Sequence, residues 1–422
     1  MLDARESWES LITHVAIIGA GIVGVSTALW LQRAGVQVTV IDRAGWAAGT
    51  SHGNAGVLAA CSMVPITGPG LTRKAPRMVM DPDQPLFMRW SYLPKLLPWL
   101  RKYLAHANDA DTRRISAGVA PLVSDAVDQH MSLAEGTPAQ THLSTSGYSF
   151  GYGSHSEMQG DDYALAIRAS HGFTPEIIEG EDLRRAEPNL SDTINVLARM
   201  PNCGSVTDPG AYVAALGDAF LAAGGQLKTA TVTDIALTQD RITAVQTDAG
   251  DIPCDIAVIA TGVWSKPLMH KLGISVPLES ERGYHIVFKN ARNGPNHPIM
   301  INAGKFVATP MDQGVRCAGI VEFGGLDAGP SKAPFDLLRR KTKEAFPNMT
   351  WDDEIEWQGH RPAPADSLPL IGEIRKTGVF AGFGHHHIGL TAGPKTGRIL
   401  AGLITGTAPN LDLTPYAPTR FA

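Results

Sequence analysis

The chain has 422 residues, 44% of them hydrophobic, which is enough apolar material for a large core and for two domains rather than one. Its formal net charge of -5 gives no reason to expect nucleic-acid binding. The four cysteines, Cys61, Cys203, Cys254 and Cys317, lie far apart with no C-x-x-C pair, so they read as thiols of a reducing, cytoplasmic compartment rather than a disulfide framework or a zinc site.

The first thirteen residues carry Asp3, Glu6 and Glu9 without an apolar core, so they are not expected to form a secretory signal. Val15 to Ile18 then reads as a buried parallel strand and Ile22 to Leu31 as a buried helix, joined by a turn containing Gly19, Gly21 and Gly24. Strand-then-helix logic explains this apolar stretch better than a membrane span does. In such a turn the first glycine permits the bend, the second lets backbone approach a pyrophosphate, and the third lets helix and strand pack closely. The phosphates are expected on the free N–H groups at the helix start, around Ile22 and Val23. Val36 to Asp42 is the next strand, and Asp42 ends it where an acid that holds a ribose hydroxyl is expected. An acid there argues against a 2'-phosphate, so the pattern defines a dinucleotide site.

The loop from Arg43 to Gly56 is dense in small residues, including Gly49, Thr50, Ser51, His52, Gly53, Asn54 and Ala55, and is expected to return to the same ligand. From about Pro76 to Glu135 the pattern becomes helical and leaves the nucleotide core, over Tyr92 to Leu104 and Arg113 to Leu133. In the first of these segments Leu96, Leu97, Trp99, Leu100, Tyr103 and Leu104 stand beside Lys95, Arg101 and Lys102. Packing on the protein itself is the expected fate of this stripe, and a membrane interface is the alternative.

Gly147 to Gly153 alternates like a strand, and helices are expected near Asp161 to Ser170, Glu181 to Ala186 and Asp208 to Leu221. Three strand candidates follow, Thr229 to Leu237, Ile242 to Thr247 and Asp255 to Gly262. The last is apolar throughout and ends at Thr261-Gly262, so it reads as a second central parallel strand whose turn touches the nucleotide. From Lys266 the chain leaves that fold again. Glu281 to Phe288 and Lys305 to Thr309 read as strands of an antiparallel sheet and Phe335 to Phe346 as a helix. The final block runs from Trp357 through Gly393 to a helix ending near Leu403.

These blocks together resemble the FAD-dependent D-amino acid oxidase superfamily, and within it the D-amino acid dehydrogenase branch. The resemblance rests on Gly19-x-Gly21-x-x-Gly24 with Asp42, on Thr50-Ser51-x-Gly53-Asn54-Ala55-Gly56 and on Ala260-Thr261-Gly262-x-Trp264-Ser265. It rests equally on Arg282-Gly283-Tyr284, on Gly359-x-Arg361-Pro362-x-x-x-Asp366-x-x-Pro369-x-Ile371-Gly372 and on Gly384-His385-x-His387-x-Gly389-x-Thr391-x-Gly393-Pro394. Relatives commonly carry Glu where this chain has Asp42, and a shorter carboxylate still reaches a ribose hydroxyl.

The resemblance implies an α/β chain in which an interrupted Rossmann-like FAD-binding domain (12–75, 160–265 and 355–412) is interleaved with an α+β substrate domain built on an antiparallel sheet (76–159 and 266–354). It implies non-covalent FAD held by Gly19, Gly21, Ile22, Val23, Gly24, Asp42, Arg43, Thr50, Ser51, Gly53, Asn54, Ala55, Gly56, Val232, Thr261, Gly262, Trp264, Gly389, Leu390 and Thr391.

An amino acid substrate brings a carboxylate, which the planar fork of a buried arginine holds best. Arg361 matches the family's anchor, with a structural bridge to Asp366 as the competing reading. Tyr284 is a candidate second donor to the carboxylate, and His386, His387 and His52 are candidates for a place near the ring or substrate. His385, His386 and His387 adjoin on a backbone expected to be extended, which cannot aim all three at one ion, so no metal is expected.

The expected reaction is oxidation of a D-amino acid, D-proline or its hydroxylated form among the candidates, to an imino acid that hydrolyses to a 2-oxo acid and ammonia. Electrons would pass to a quinone or other acceptor, leaving open peripheral contact with the inner face of the cell membrane. An O2-using oxidase of glycine or sarcosine type and a flavin-binding subunit without turnover are the competing readings. No oligomeric state follows from the sequence.

Overall fold

His14–Ile18 is apolar on both faces because it lies inside a parallel sheet, with Gln37–Asp42 on one side and Ile256–Ile259 on the other. The computed structural model describes residues 14–422, so the acidic opening segment with Asp3, Glu6 and Glu9 lies outside the described residues. The sheet has six strands in the order 226–229, 37–42, 14–18, 256–259, 379–383, 370–373, and only the last pairing is antiparallel. Helix Ile22–Arg33 links the first two strands, and the long C-terminal helix Gly389–Ile404 packs along it. The expected second central strand is therefore present, and it lays Ala260 to Trp264 beside the glycine turn.

The stretch expected as one strand from Thr229 to Leu237 is two. Gln226–Thr229 pairs parallel with 37–42, and Val232–Thr238 turns away into a separate antiparallel sheet with Arg241–Thr247 and Ile252–Pro253. The break comes at Ala230, whose N–H still reaches Asp42 O while Thr231 N turns to the Asp248 carboxylate.

The second large sheet is mostly antiparallel and carries nine strands. Its centre is the pair Leu278–Lys289 and Gly314–Phe323, flanked by Asp353–Pro364 on one edge and continued through 306–311, 299–301, 148–152, 196–200 and 176–179. Two joints are parallel, 299–301 with 148–152 and 86–88 with 314–323, where the chain re-enters from the other unit. Helix Lys332–Ala345 covers one face through Phe335, Leu337 and Leu338, and the other face is turned to the nucleotide unit.

Two expected boundaries move. Strand 196–200 pairs with 148–152 and strand 176–179 pairs with 196–200, so the substrate sheet extends well past residue 160. Strand 353–364 pairs along its full length with 278–289, so the final return to the nucleotide unit follows residue 364 rather than 355.

The helical insertion also divides. Helix Leu93–Ala105 packs on the substrate sheet: Leu96, Trp99 and Tyr103 are buried with Phe323, Ala363 and Ala365, and the expected packing of that stripe holds for these residues. Among the described residues no helix is long and apolar enough to cross a membrane. The segment Arg113 to Leu133 is two helices, Asp109–Val123 and Ala126–Ala134, and both return to the nucleotide unit instead of leaving it. Arg33 donates to Leu133 O at 2.7 Å, and His130 bridges Tyr212 Oη (2.8 Å) and Leu390 O (2.9 Å).

Burial pushes the His130 imidazole down to about 4, although the Leu390 carbonyl pulls the other way. Between that value and the ordinary 6.5 the unfolded chain binds a proton that the folded one refuses, so stability falls as pH drops through this window. His130→Gln keeps a donor and an acceptor but cannot titrate. It is expected to remove up to roughly 1.4 kcal/mol per pH unit from the acid slope of Tm-derived stability. An unchanged slope would show that His130 is already protonated in the fold.

Candidate active site

The glycine turn is forced by its neighbours. Gly19 has φ +109°, and a Cβ there would stand 2.6 Å from Ala260 O on the adjacent strand end. A Cβ on Gly24 would fall 1.9 Å from Gly19 O, so Gly24 is the close helix-to-strand contact and lies behind the cleft rather than in it. The Ser51 hydroxyl accepts from Ile22 N at 3.0 Å, and its own proton remains to be donated to an anion at the helix start. Asp42 lines the cleft, but it also builds it: Oδ2 accepts from Ala20 N at 2.9 Å, and Oδ1 accepts from Ala44 N at 2.8 Å and Gly45 N at 3.2 Å. Each carboxylate oxygen has two lone-pair directions, so a ribose hydroxyl fits beside these bonds.

From this turn a cavity of about 1580 Å³ runs between the two sheets. Of the twenty expected cofactor residues, all but Gly24 and Gly56 line it. Gly56, at φ +74°, instead lets the loop pass Met311 and Val206 O. Arg43 lies over the Trp264 ring at 4.5 Å, and Thr50 donates to His360 O at 2.7 Å, which ties the small-residue loop to the substrate sheet. Gly389, Leu390 and Thr391 open the C-terminal helix at the cavity wall, where the first N–H groups of a helix have no partner within it.

Arg361 projects from strand 353–364 into the same cavity. Its guanidinium lies over Gly283 of the neighbouring strand, where an added Cβ would meet Nε at 3.0 Å and Nη2 at 3.1 Å. Burial pushes its pKa below the usual value, and Glu281 opposes that shift. The competing partner, Asp366, is taken by Arg420, whose Nε donates at 2.7 Å. The strand is fixed from behind by helix 93–105: Trp99 Nε1 donates to Ala363 O at 3.0 Å, and Trp99 stacks on Tyr103, which lines the cavity.

Two expected site residues are misplaced. Along strand 278–289 side chains alternate: Glu281 and Gly283 line the cavity and Arg282 points to the opposite face, while Tyr284 borders the cavity but turns its ring and hydroxyl under the covering helix. The Tyr284 hydroxyl donates to Glu322 Oε2 at 2.6 Å and accepts from Ser331 N at 3.1 Å, while its ring meets Phe335 edge-on. Arg282 completes that cluster with an ion pair to Glu322 at 2.8 Å, so the Arg-Gly-Tyr motif fastens the 324–331 loop and supplies no second carboxylate donor. His52 is exposed and its ring turns toward Trp357 and Gly210, outside the cavity that Ser51 and Gly53 line.

The three histidines do not lie on an extended backbone. His386–Ile388 is a single 3-10 turn, with His386 at φ +52°. His385 hydrogen-bonds Thr396 Oγ1 at 2.9 Å, and His386 sets Nδ1 2.9 Å from His387 Nδ1 and Nε2 3.1 Å from Glu281 Oε1. Burial, with His386 and Arg361 nearby, pushes His387 down to about 3. Among the described residues no group of three His, Cys, Asp or Glu is placed to hold a metal ion. The residue that sequence reasoning missed is Glu281: it looked like the polar start of a strand, and only the register opposite Arg361 puts its carboxylate in the site.

A parallel sheet with a glycine turn, an acid at the end of the next strand lining the cavity and an interleaved second sheet bearing a cavity-facing arginine define a dinucleotide-dependent oxidoreductase. The chain belongs to the FAD dependent oxidoreductase family (DAO), whose signature matches residues 14–403. It is 38% identical over 416 residues to a protein named D-amino-acid oxidase from Bradyrhizobium diazoefficiens, across 97% of this chain and 99% of the relative. It is 27% identical to a D-amino acid dehydrogenase of Rhizobium rhizogenes, across 96% and 99%. The solved L-proline dehydrogenase from P. horikoshii shares the fold with a TM-score of 0.73 at 20% identity, covering 97% of this chain and 98% of that one.

FAD is the cofactor of this family, and the residues present fit it. The volume exceeds the several hundred Å³ of an ordinary small-ligand pocket, and the Gly19–Ser51–Asp42 end offers bare backbone, a free hydroxyl proton and a carboxylate. Bound there, FAD supplies a two-electron acceptor for the substrate's hydride.

Proposed function

We propose that this flavoenzyme oxidises the Cα–N bond of a D-amino acid, D-proline and its hydroxylated form among the candidates, to an imino acid; water converts the imine of a primary amine to a 2-oxo acid and ammonia, whereas the cyclic imine of a proline keeps its nitrogen. The observation that carries the reading is Arg361: a half-buried guanidinium in the cavity wall, with its expected structural partner Asp366 already bound to Arg420. Such a fork recognises a carboxylate by two parallel hydrogen bonds and fixes the Cα that bears the leaving hydrogen. The names of the curated relatives support the D configuration. Within the remaining roles, Arg361 binds the carboxylate, His386 lies beside the reacting centre, and Gly389 to Thr391 offer backbone N–H groups to charge developing on the cofactor. That none of the four cysteines lines the cavity supports non-covalent FAD.

Electrons pass to a quinone or similar acceptor in this reading, with the protein working from the cytoplasm in peripheral contact with the inner membrane face. Exposed Trp90 and Leu97 beside Lys95, Arg101 and Lys102 support such a contact. Direct use of O2 is the second reading, favoured by the oxidase name of the 38% identical relative. Incubating the purified protein with a D-amino acid panel, with and without a dye acceptor, while recording peroxide separates them. Dye-dependent turnover with little peroxide is expected; strong peroxide production without dye would establish the oxidase, and no turnover in either arm would contradict the substrate class.

A further inference from the structure

Glu281 is only 3% exposed, lines the cavity, and has one carboxylate oxygen, Oε2, without a hydrogen-bond partner. It stands directly opposite Arg361 in the antiparallel ladder. Opposite charges so placed ordinarily close into a cross-strand pair. Here no ion pair joins them: the guanidinium lies over Gly283, and the carboxylate leans to His386 Nε2 at 3.1 Å. Two opposite charges on directly paired residues, the carboxylate buried and the guanidinium half-buried, with no ion pair between them, make a receptor for a molecule that carries both signs on neighbouring atoms.

We propose that Glu281 receives the cationic amine of the substrate while Arg361 receives its carboxylate, so that adjacent strands clamp the zwitterion of an α-amino acid. This rests on the substrate class proposed above. An α-amino acid bears its ammonium and carboxylate on one carbon, which matches charges presented by directly paired residues of a ladder. Burial alone would neutralise Glu281, but contact with His386, and then the charge of Arg361, outweighs burial and holds the carboxyl below its ordinary 4.5. It therefore meets the amine as a carboxylate. From helix 93–105 the facing group is Tyr103, whose hydroxyl burial, and then the charge of Glu281, keeps protonated. The clamp accepts primary and secondary amines alike, since both are cationic, and rejects a 2-hydroxy acid, which leaves a buried carboxylate unpaired.

The test uses the flavin-loaded protein and three matched pairs: D-alanine with D-lactate, D-phenylalanine with D-phenyllactate, and D-proline with (R)-tetrahydrofuran-2-carboxylate. Dissociation constants come from anaerobic flavin reduction for the amines and from competition for the oxygen analogues. Wild type is expected to prefer the amine of its best pair by about 30-fold or more. Glu281→Gln is expected to lose that preference by weakening the amine, with the oxygen analogue shifted by no more than about twofold. Retained preference in that variant would overturn the assignment and leave the substrate class standing. Should Glu281→Gln fail to hold FAD, equal wild-type affinity for the two members of a pair overturns the proposal, and a preference kept in Glu281→Asp supports it. Wild-type flavin that none of the amines reduces would remove the substrate class, and the clamp with it.

Discussion

Arg361→Ala is expected to lower kcat/KM for the best D-amino acid by roughly 30- to 5,000-fold, about 2 to 5 kcal/mol, while the protein still purifies with its FAD. The size follows from leaving a substrate carboxylate desolvated against no charge, and the specificity of the effect follows from geometry. Arg361 is on the substrate sheet, away from the glycine turn and Ser51 proposed to hold the phosphates, and its neighbour Asp366 keeps its own partner in Arg420. Arg361→Lys retains the charge but loses the planar fork, so partial recovery is expected. Tyr284→Phe is the matched control on the same strand pair: its hydroxyl serves Glu322, so kcat/KM should stay within about twofold. A flavin-binding subunit without turnover of its own predicts instead that Arg361→Ala changes nothing.

Gly19→Ala is expected to yield a colourless protein. The new methyl meets Ala260 O at 2.6 Å on a backbone at φ +109°, which costs roughly 1 to 3 kcal/mol in conformation before the clash is counted. Relief by movement is blocked, because Gly19 N donates to Ile41 O and Ala260 N donates to Ile18 O, each at 2.8 Å. The strand ends would have to part, and they form the proposed phosphate cradle. Gly21→Ala is milder, since its methyl meets only the Ser51 hydroxyl at 3.1 Å, a side chain that can rotate. The flavin-to-protein absorbance ratio checks both, and a Gly19→Ala protein with the wild-type ratio would contradict the cradle.

The nucleotide half was legible because its signals are fixed spacings and apolar runs. Gly19, Gly24 and Asp42 fall at fixed spacing within one strand–turn–helix–strand unit, the apolar strand before Thr261 announces itself by composition alone, and the structure places them as that pattern requires. What the sequence hid depends on register and on side. Tyr284 and Glu281 are three residues apart on one strand, yet opposite faces of the sheet separate an anchor for the 324–331 loop from a charge in the cavity. Period-two alternation was visible, but which face met the cofactor was not, because that is set by pairing with strand 353–364 more than seventy positions away. His52 failed for a related reason: its neighbours Ser51 and Gly53 touch the cleft, and the turn between them points its ring outward. The histidine run failed because a 3-10 turn with His386 at φ +52° replaced the expected extended backbone.

Anaerobic titration of the yellow protein with D- and L-enantiomers of a panel of amino acids, followed by the flavin absorbance, tests the whole arrangement most directly. Bleaching by D-amino acids in the absence of any acceptor, saturable in wild type and lost in Arg361→Ala, is the expected result. A flavin that stays oxidised with every amino acid, or one bleached equally well when Arg361 is gone, would contradict it.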